Sequence, residues 1–347
     1  MSESGASSDP TSGWARRLPL VTLSRAELEA LLVVAAPNAT LRDAAVLTAG
    51  LVNTNYRLDL TNGAPPLALR IYTRDMEACA REERLLRLVA GAVPAPRVLY
   101  ADPNAERFRQ PWMLTTWAEG QPLPDALASL EPGETQSLAA ALGATAAAIG
   151  EFAFPASGFF GPDLSIAEPL AEPAEMTRER LRWLLVEWQA GARLGPALTE
   201  RLWQAVEAHV GPLDALAGRA RLVHADYRDS NLLVKRDADG GWRVTGVLDW
   251  EFAYAGPALF DIGSLLRREA SALPPGFAAQ VVRAYRAAGG FAPPGWRRMT
   301  LLMDLMNLCG FADMSDPRGA MLGDVAALIE ATVARLESGA PDPELVP

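Results

Sequence analysis

The spacing of apolar residues changes several times along the chain, and each change indicates a different element. Ser24 and Glu27 have the spacing of a capping box, which predicts a first helix that ends before Pro37. From about residue 40 onward, apolar and polar residues alternate with the period of a strand. Three such runs, separated by turn signals, predict strands at 41–50, 54–61 and 65–73.

The spacing of a helix returns at residues 81–91, a segment that ends in a glycine. Two further short strands are predicted at 97–102 and 111–117. Residues 40–117 are therefore predicted to form a small antiparallel sheet that carries one helix. The next segment, residues 118–124, is predicted to be a linker.

Helical spacing dominates the chain after this linker. Apolar stripes predict helices at 134–152, 174–191 and 197–210, and four more helical patterns follow toward the C-terminus. The first of these helices is rich in Ala and Gly, which is typical of a buried helix rather than a membrane span. One β-hairpin interrupts the helices, with predicted strands at 231–237 and 242–250.

These changes divide the chain into a disordered lead-in, an N-terminal lobe, a C-terminal lobe and a tail, with predicted bounds of 1–18, 19–118, 119–337 and 338–347. The 347 residues are 50% apolar and 21% charged, an ordinary globular composition with material for a sizeable core. A net charge of −10 argues against a nucleic-acid partner. We see neither a membrane span nor a secretory signal, and two isolated cysteines favour a reduced, cytoplasmic setting. The oligomeric state is left open.

One segment carries a pattern typical of phosphoryl transfer. His224, Asp226 and Asn231 have the spacing H-x-D-x-x-x-x-N just before the first strand of the hairpin, and Asp249 ends its second strand. Because a hairpin brings its two ends together, Asn231 and Asp249 are predicted to lie within reach of one cation. Phosphoryl transfer needs a carboxylate to accept a hydroxyl proton and oxygen ligands to hold Mg²⁺ against the phosphates. We therefore predict Asp226 as the base and Asn231 and Asp249 as metal ligands.

This pattern resembles the catalytic loop and metal-binding Asp of the protein-kinase-like superfamily, and more closely that of the aminoglycoside phosphotransferase family of small-molecule kinases. That family follows the loop with D-[WF]-[ED], which matches residues 249–251. Its next landmark matches at Asp261, although Gly256 stands where an Asp is usual. The resemblance covers residues of about 40–315. It implies a bilobed α+β fold, with a five-stranded antiparallel N-terminal lobe, a mainly helical C-terminal lobe and ATP in the cleft.

The resemblance also implies roles for residues that support the loop and bind the nucleotide. His224 is expected to be a neutral residue that braces the loop, and Asp261 a helix cap that also orders it. The turn that contains Gly50 and Asn53 matches the G-x-x-N-x-x-[YF] turn of small-molecule kinases and is expected to meet the phosphates. Backbone groups near Thr116 and Ala118 are expected to meet adenine at a hinge. These assignments place ATP and Mg²⁺ as the cofactors.

Arg70 lies on the third predicted strand, where protein kinases carry a lysine. Its guanidinium is expected to hold phosphate oxygens of the nucleotide. Glu82, from the helix that follows, is the expected partner of Arg70, and Glu83 is the alternative, because one helical step turns a side chain by about 100°.

The acceptor side is marked less clearly. Glu251 and Arg228 flank the loop, and Asp304 and Asn307 are polar residues three positions apart on an otherwise apolar helix. With Arg228 as the one balancing cation, these groups predict a negative pocket that favours an amine-bearing acceptor. An internal hydrogen bond from the Asp304 helix to the loop is the alternative.

The sequence therefore predicts an ATP- and Mg²⁺-dependent kinase that phosphorylates a hydroxyl group of a small molecule, such as an aminoglycoside-like or other amine-bearing acceptor. A metabolite kinase of the homoserine or choline type stays open. A nucleotide-binding pseudokinase also stays open, although every catalytic position is filled. A protein kinase is disfavoured, because the chain after Asp249 is too short for an activation loop.

Overall fold

A computed structural model describes residues 18–48, 52–131, 133–268, 273–314, 316 and 319–338. The expectations for Gly50, for nearly all of the lead-in and for all but the first residue of the tail lie outside these residues. Among the described residues, no helix has the length and apolarity needed to cross a membrane.

Five antiparallel strands form the first sheet, as predicted. They are β1 Leu41–Leu47, β2 Thr54–Leu60, β3 Leu67–Ile71, β4 Val98–Asp102 and β5 Trp112–Thr116, and their spatial order is β1-β2-β3-β5-β4. Every second residue of β2 and β3 is fully buried, because these strands alternate between a core face and a less buried face. This alternation sends Leu69 and Ile71 to one face and Arg70 to the other.

Two helices cover this sheet. Helix α1, Arg25–Ala35, begins at the predicted capping box, where Ser24 and Glu27 bond reciprocally, and its leucines pack with Leu69 and Ile71. Helix α2, Ala78–Val89, packs in the core that contains Met113 of β5. The residues on either side of Met113 in β5 face the α1 side of the sheet instead. The Arg70 side chain therefore lies on the side of the sheet that carries α2.

The remaining described residues are mostly helical. The helices are α3 Leu123–Ala128, α4 Thr135–Ile149, α5 Pro173–Arg182, α6 Ala190–Leu194, α7 Pro196–His209, α8 Leu259–Leu266, α9 Phe277–Ala287, α10 Trp296–Met314 and α11 Ala320–Glu337. The predicted Ala-rich helix is α4, and it packs against α9 at Gly143, where a Cβ atom would lie 2.3 Å from the carbonyl oxygen of Val281. The small side chains thus permit a close helix contact.

Two smaller sheets complete the fold. The predicted hairpin is β10 Leu232–Arg236 and β11 Trp242–Val247, and β6 Gln121–Pro122 pairs with β10 as a third strand. The other sheet contains β7 Gly158–Phe160, β8 Ile166–Pro169, β9 Arg221–Val223 and β12 Tyr254–Gly256. The sequence did not indicate this second sheet, because strands of three or four residues are too short to show alternation.

Two sequence predictions are corrected here. The predicted linker is partly a strand: β6 pairs Gln121 with Val234, and Gly120 fits beside Thr245 because it lacks a Cβ atom. The predicted helix 174–191 is interrupted by a π-helical turn, Trp183–Glu187, after which the chain reverses. The reversal places Gly191 so close to the backbone of Leu185 that no side chain fits between them.

Candidate active site

The hairpin brings the two predicted metal ligands to the same end. Leu232 pairs with Val247, and the amide of Leu248 donates to the carbonyl oxygen of Asn231 at 2.9 Å. Asp249 follows directly in a left-handed conformation with φ of 67°, which turns the chain sharply out of the strand. Asn231 and Asp249 are therefore neighbours, although 18 positions separate them in the sequence.

Both carboxylate oxygens of Asp226 have a partner. Asn231 Nδ2 donates to Asp226 Oδ2 at 2.7 Å and to the Asp226 carbonyl oxygen at 3.0 Å. Arg228 Nε lies 2.8 Å from Asp226 Oδ1. The Asp226 residue is only 7% exposed, so its carboxylate is held in one orientation by the loop that carries it.

His224 braces this loop from within the core. Its Nδ1 accepts from the amide of Asp226 at 3.3 Å, so Nε2 carries the proton and donates to the carbonyl oxygen of Leu248 at 3.1 Å. Burial lowers the pKa of His224 to about 4, although the charge of Asp226 opposes this. The imidazole is therefore neutral near pH 7 and links the catalytic loop to the end of the hairpin.

Asp261 orders the same loop from the first turn of α8. Its two oxygens accept from the amides of His224 at 2.8 Å and Ala225 at 2.9 Å. The expected helix cap is wrong, because both oxygens are used by the loop and no side chain caps α8. Ala225 has a left-handed φ of 69°, and the hydrogen bonds that the amides of His224 and Ala225 donate to Asp261 hold this strained backbone in place.

Arg70 lies among three carboxylates. Its Nη1 lies 3.3 Å from Glu82 Oε1, and its Nη2 lies 2.7 Å from Asp249 Oδ1 and 3.2 Å from Glu251 Oε2. Burial raises the pKa of Glu82 and the Arg70 charge opposes that rise, while Tyr72 donates to Glu82 at 2.6 Å. The guanidinium thus joins β3, α2 and the end of the hairpin.

Of the two glutamates considered for Arg70, the structure brings Glu82 to it. Glu83 pairs with Arg87 one turn later on the same helix, at 2.9 Å. The side chain of Glu82 is only 4% exposed and that of Glu83 is 22% exposed, so the two face different environments.

Glu251 lies with the nucleotide candidates and not on the acceptor side, which corrects its sequence-based placement. Asn53 Nδ2 donates to Glu251 Oε2 at 2.6 Å, and Asn53 Oδ1 accepts from the amide of Thr73 at 3.2 Å. Burial raises the pKa of Glu251 to about 7, and the nearby charge of Asp249 adds to the rise. The chain turns at Asp249 so that Glu251 faces the first sheet.

The predicted hinge residues line a cavity of about 270 Å³. Thr116 ends β5, and its amide and hydroxyl groups are both bonded to the backbone of Arg97. Ala118 follows, and the cavity is also lined by Pro96, Lys235 and other residues of this region. The structure thus places Thr116 and Ala118 on one cavity wall beside the hairpin.

The predicted negative pocket is wrong, because Asp304 is neutralised. Arg267, at the end of α8, holds Asp304 with both Nε and Nη2 at 2.6–3.1 Å, and both side chains are under 10% exposed. Asn307 Nδ2 donates to the carbonyl oxygen of Ala225 at 3.1 Å and to Ser264 Oγ at 3.2 Å. Asn307 therefore supports the catalytic loop, which was the alternative in the sequence analysis.

In the described residues no group of three or more His, Cys, Asp or Glu side chains has the arrangement of a metal site. The candidate set consists instead of one amide and one carboxylate, Asn231 and Asp249. Two protein oxygens are few for most metals, but they suit Mg²⁺, which keeps waters and takes phosphate oxygens as further ligands.

The fold and this loop identify the protein as a small-molecule kinase, as the sequence predicted. The model of the phosphotransferase enzyme family matches residues 43–302, which is most of the chain. The chain therefore belongs to the phosphotransferase enzyme family. No curated protein sequence is significantly similar to it.

Solved aminoglycoside phosphotransferases share the fold and confirm the predicted fold class. A thermostable mutant of APH(4)-Ia, in a ternary complex with AMP-PNP and hygromycin B, has a TM-score of 0.61 and 19% identity over 90% of this chain and 99% of that chain. Wild-type aminoglycoside 2'-phosphotransferase-IIIa, in its GDP complex, has a TM-score of 0.68 and 17% identity over 90% and 99% of the two chains.

Protonation of His224 should destabilise the fold. Because its pKa falls from an ordinary value near 6.5 to about 4, the unfolded chain binds this proton first, and stability is lost as the pH falls through that window. In His224→Gln, the drop in melting temperature between pH 7 and pH 5 should be smaller by about 2–4 °C. His209 is less buried than His224, so His209→Gln should change the slope less, and an unchanged slope in His224→Gln would contradict the assignment.

Breaking the Arg267–Asp304 pair should affect stability rather than nucleotide use. Asp304→Leu leaves a buried guanidinium unpaired and should cost about 3–5 kcal/mol in denaturant unfolding. The double variant Arg267→Met, Asp304→Leu should recover much of this loss, because no buried charge remains. If Asp304→Asn keeps its stability and instead raises the KM for an amine-bearing acceptor, Asp304 contacts the substrate and the structural role is wrong.

Proposed function

We propose that the protein transfers the γ-phosphoryl group of ATP to a hydroxyl group of a small molecule, with Mg²⁺ as the metal. The observation that carries this proposal is the convergence of Asp226, Asn231 and Asp249 at one end of a hairpin, with Arg70 bonded to Asp249. These are the groups that phosphoryl transfer uses to accept a proton, hold the metal and grip phosphates.

Asp226 is the proposed base. It follows the braced residue His224, and Asn231 fixes one of its oxygens, so the other oxygen points in a defined direction. An acceptor hydroxyl beside Asp226 would pass its proton to the carboxylate as its oxygen attacks phosphorus. Catalysis of this kind rests mainly on positioning and on charge neutralisation.

Asn231 and Asp249 are the proposed metal ligands. Asn231 uses its Nδ2 on Asp226, so its amide oxygen is the atom that remains for a cation. Asp249 supplies a carboxylate that already has a cation, the Arg70 guanidinium, at 2.7 Å. Bound there, Mg²⁺ would neutralise the charge of the nucleotide phosphates. Oxygen donors from an amide and a carboxylate fit that ion.

Arg70 is the proposed phosphate-binding residue, and Glu82 positions it. The Arg70 side chain is 15% exposed, and its guanidinium shares its donors among three carboxylates. A nucleotide phosphate would compete for the donors now directed at Asp249 and Glu251, while Glu82 keeps the side chain in place from α2. Asn53 lies at Glu251 and belongs to the same phosphate side. Gly50 stays a prediction for the turn.

Two finer points belong to this proposal. We propose that Thr116 and Ala118 border the base of the nucleotide. We also propose that ATP is the preferred phosphoryl donor, although the solved structure of aminoglycoside 2'-phosphotransferase-IIIa contains GDP. Side-by-side assays with ATP and GTP test this preference.

A cytoplasmic location would supply nucleotide, and the free thiols of Cys79 and Cys309 agree with a reducing compartment. A pseudokinase would bind nucleotide but form no ADP with any acceptor.

The base is tested by Asp226→Asn, which keeps the size of the side chain and removes the proton acceptor. Mg²⁺-dependent ADP formation with hydroxylated acceptors should fall by about 10²–10⁴-fold, while nucleotide affinity survives. Asp237→Asn, at an exposed position of the hairpin, is the matched control. Turnover near that of the wild type in Asp226→Asn would remove this residue from the mechanism.

The Arg70–Glu82 pair is tested by a double-mutant cycle. Arg70→Ala should raise the KM for ATP, Glu82→Ala should raise it less, and the double variant should be less than additive, because the two side chains share one contact. Glu83→Ala combined with Arg70→Ala should be additive and serves as the control. Additive losses for Arg70 with Glu82 would show that the pair does not act together.

A further inference from the structure

A narrow cavity adjoins the catalytic loop on the side of Arg228. Its wall is largely apolar and includes Leu265 of α8, Leu308 and Phe311 of α10 and Val325 of α11. Arg228 lies between this wall and the base, with its guanidinium 5.9 Å from the Phe311 ring and its Nε 2.8 Å from Asp226 Oδ1. The cavity measures only about 30 Å³, so an acceptor that approaches Asp226 from this side has to displace Arg228 and widen the cavity.

The charges at this cavity do not favour a polycation. Arg267 lines the cavity and is held by Asp304, so neither contributes an unbalanced charge. Asp226 faces Arg228, and Asp229 uses one oxygen on the amide of Ser230. Arg268 also lines the cavity. Among the cations of this wall, Arg228 is the one that contacts the proposed base, Asp226.

The contact between Arg228 and Asp226 is one that a ligand can replace. Although Arg228 Nε lies 2.8 Å from Asp226 Oδ1, its N–H is not aligned for a hydrogen bond, and the atom is buried without a hydrogen-bond partner. A carboxylate offers a guanidinium two parallel hydrogen bonds, which is the stronger arrangement. Because Arg267 stays paired with Asp304, only the single positive charge of Arg228 needs a new partner. One carboxylate supplies that partner.

Given the proposed function, we propose that the acceptor is a hydroxyl compound with an apolar body and one carboxylate. Arg228 binds the acceptor carboxylate and thereby leaves Asp226 Oδ1 to the acceptor hydroxyl. The hydroxyl O–H bond then breaks as its oxygen bonds to the γ-phosphorus, the proton passes to Asp226, and the bond from phosphorus to the bridging oxygen breaks to release ADP. Binding of the correct acceptor thus frees the base that acts on it.

Three compounds of equal length test the acceptor class: 8-hydroxyoctanoate, 8-hydroxyoctanamide and 8-aminooctan-1-ol. They share the hydroxyl and the chain and differ in the charge of the other end. ADP formation and the mass of the product are measured with each. We expect the kcat/KM of the carboxylate to exceed both others by about tenfold or more, as a charge-assisted pair predicts. A preference for the amine or the amide overturns the proposal.

Arg228→Met separates binding from a merely structural role. The variant should lower kcat/KM for the hydroxy carboxylate by about tenfold more than it lowers kcat/KM for the hydroxy amide. A structural role would lower activity with both acceptors alike, together with the melting temperature. Arg201→Met, at an exposed arginine that pairs with Glu337, is the matched control. Equal losses for both acceptors in Arg228→Met overturn the proposal.

A binding measurement distinguishes this proposal from the proposed function. The protein is first saturated with Mg²⁺ and AMP-PNP and is then titrated calorimetrically with octanoate and with octylamine. This measurement needs no turnover. Octanoate should bind more tightly, and Arg228→Met should abolish the difference. If octanoate binds in this way but no hydroxyl compound yields ADP, the acceptor site stands and the phosphotransferase proposal fails. If octanoate does not bind, or binds equally well to the variant, the carboxylate proposal is wrong.

Discussion

One largely buried arginine, Arg70, links the parts of this molecule that have to act together. Arg70 extends from the middle of the first sheet to Glu82 on α2 and to Asp249 and Glu251 at the end of the hairpin. A buried charge of this kind is tolerated only when its partners are in place. The position of α2 and the direction of the chain after β11 are therefore coupled through a single side chain.

A second network, made of hydrogen bonds from α8, from α10 and from His224, fixes the catalytic loop. Asp261 binds two loop amides, His224 joins the loop to Leu248, and Asn307 reaches the carbonyl oxygen of Ala225. These bonds hold two non-glycine residues, Ala225 and Asp249, in left-handed conformations that would otherwise be costly. The loop geometry thus rests on hydrogen bonds within the protein, which is the form of preorganisation that phosphoryl transfer requires.

Local sequence patterns predicted much of this structure. The features that they missed depend on contacts between residues that are distant in the sequence. Strand β2 lies at Thr54–Leu60 against a prediction of 54–61, because alternation is visible within one segment. The Asp226 and Asn231 positions follow from a motif with fixed spacing. By contrast, the partner of Asp304 lies 37 positions away at the end of a different helix, and no local period marks Arg267 as facing inward. The unbalanced pocket was predicted for that reason.

The pairing of β6 with β10 has a consequence for the distance that a bound nucleotide would span. The segment after Ala118 is hydrogen-bonded to the same hairpin that ends at Asn231 and Asp249, and Gly120 lets it lie flat against Thr245. The spacing between Ala118 and the proposed metal ligands is therefore set within one small sheet, while Thr116, at the end of β5, joins the same segment to the first sheet. A nucleotide bound as proposed would therefore span a distance that this small sheet sets, from Ala118 to the proposed metal ligands.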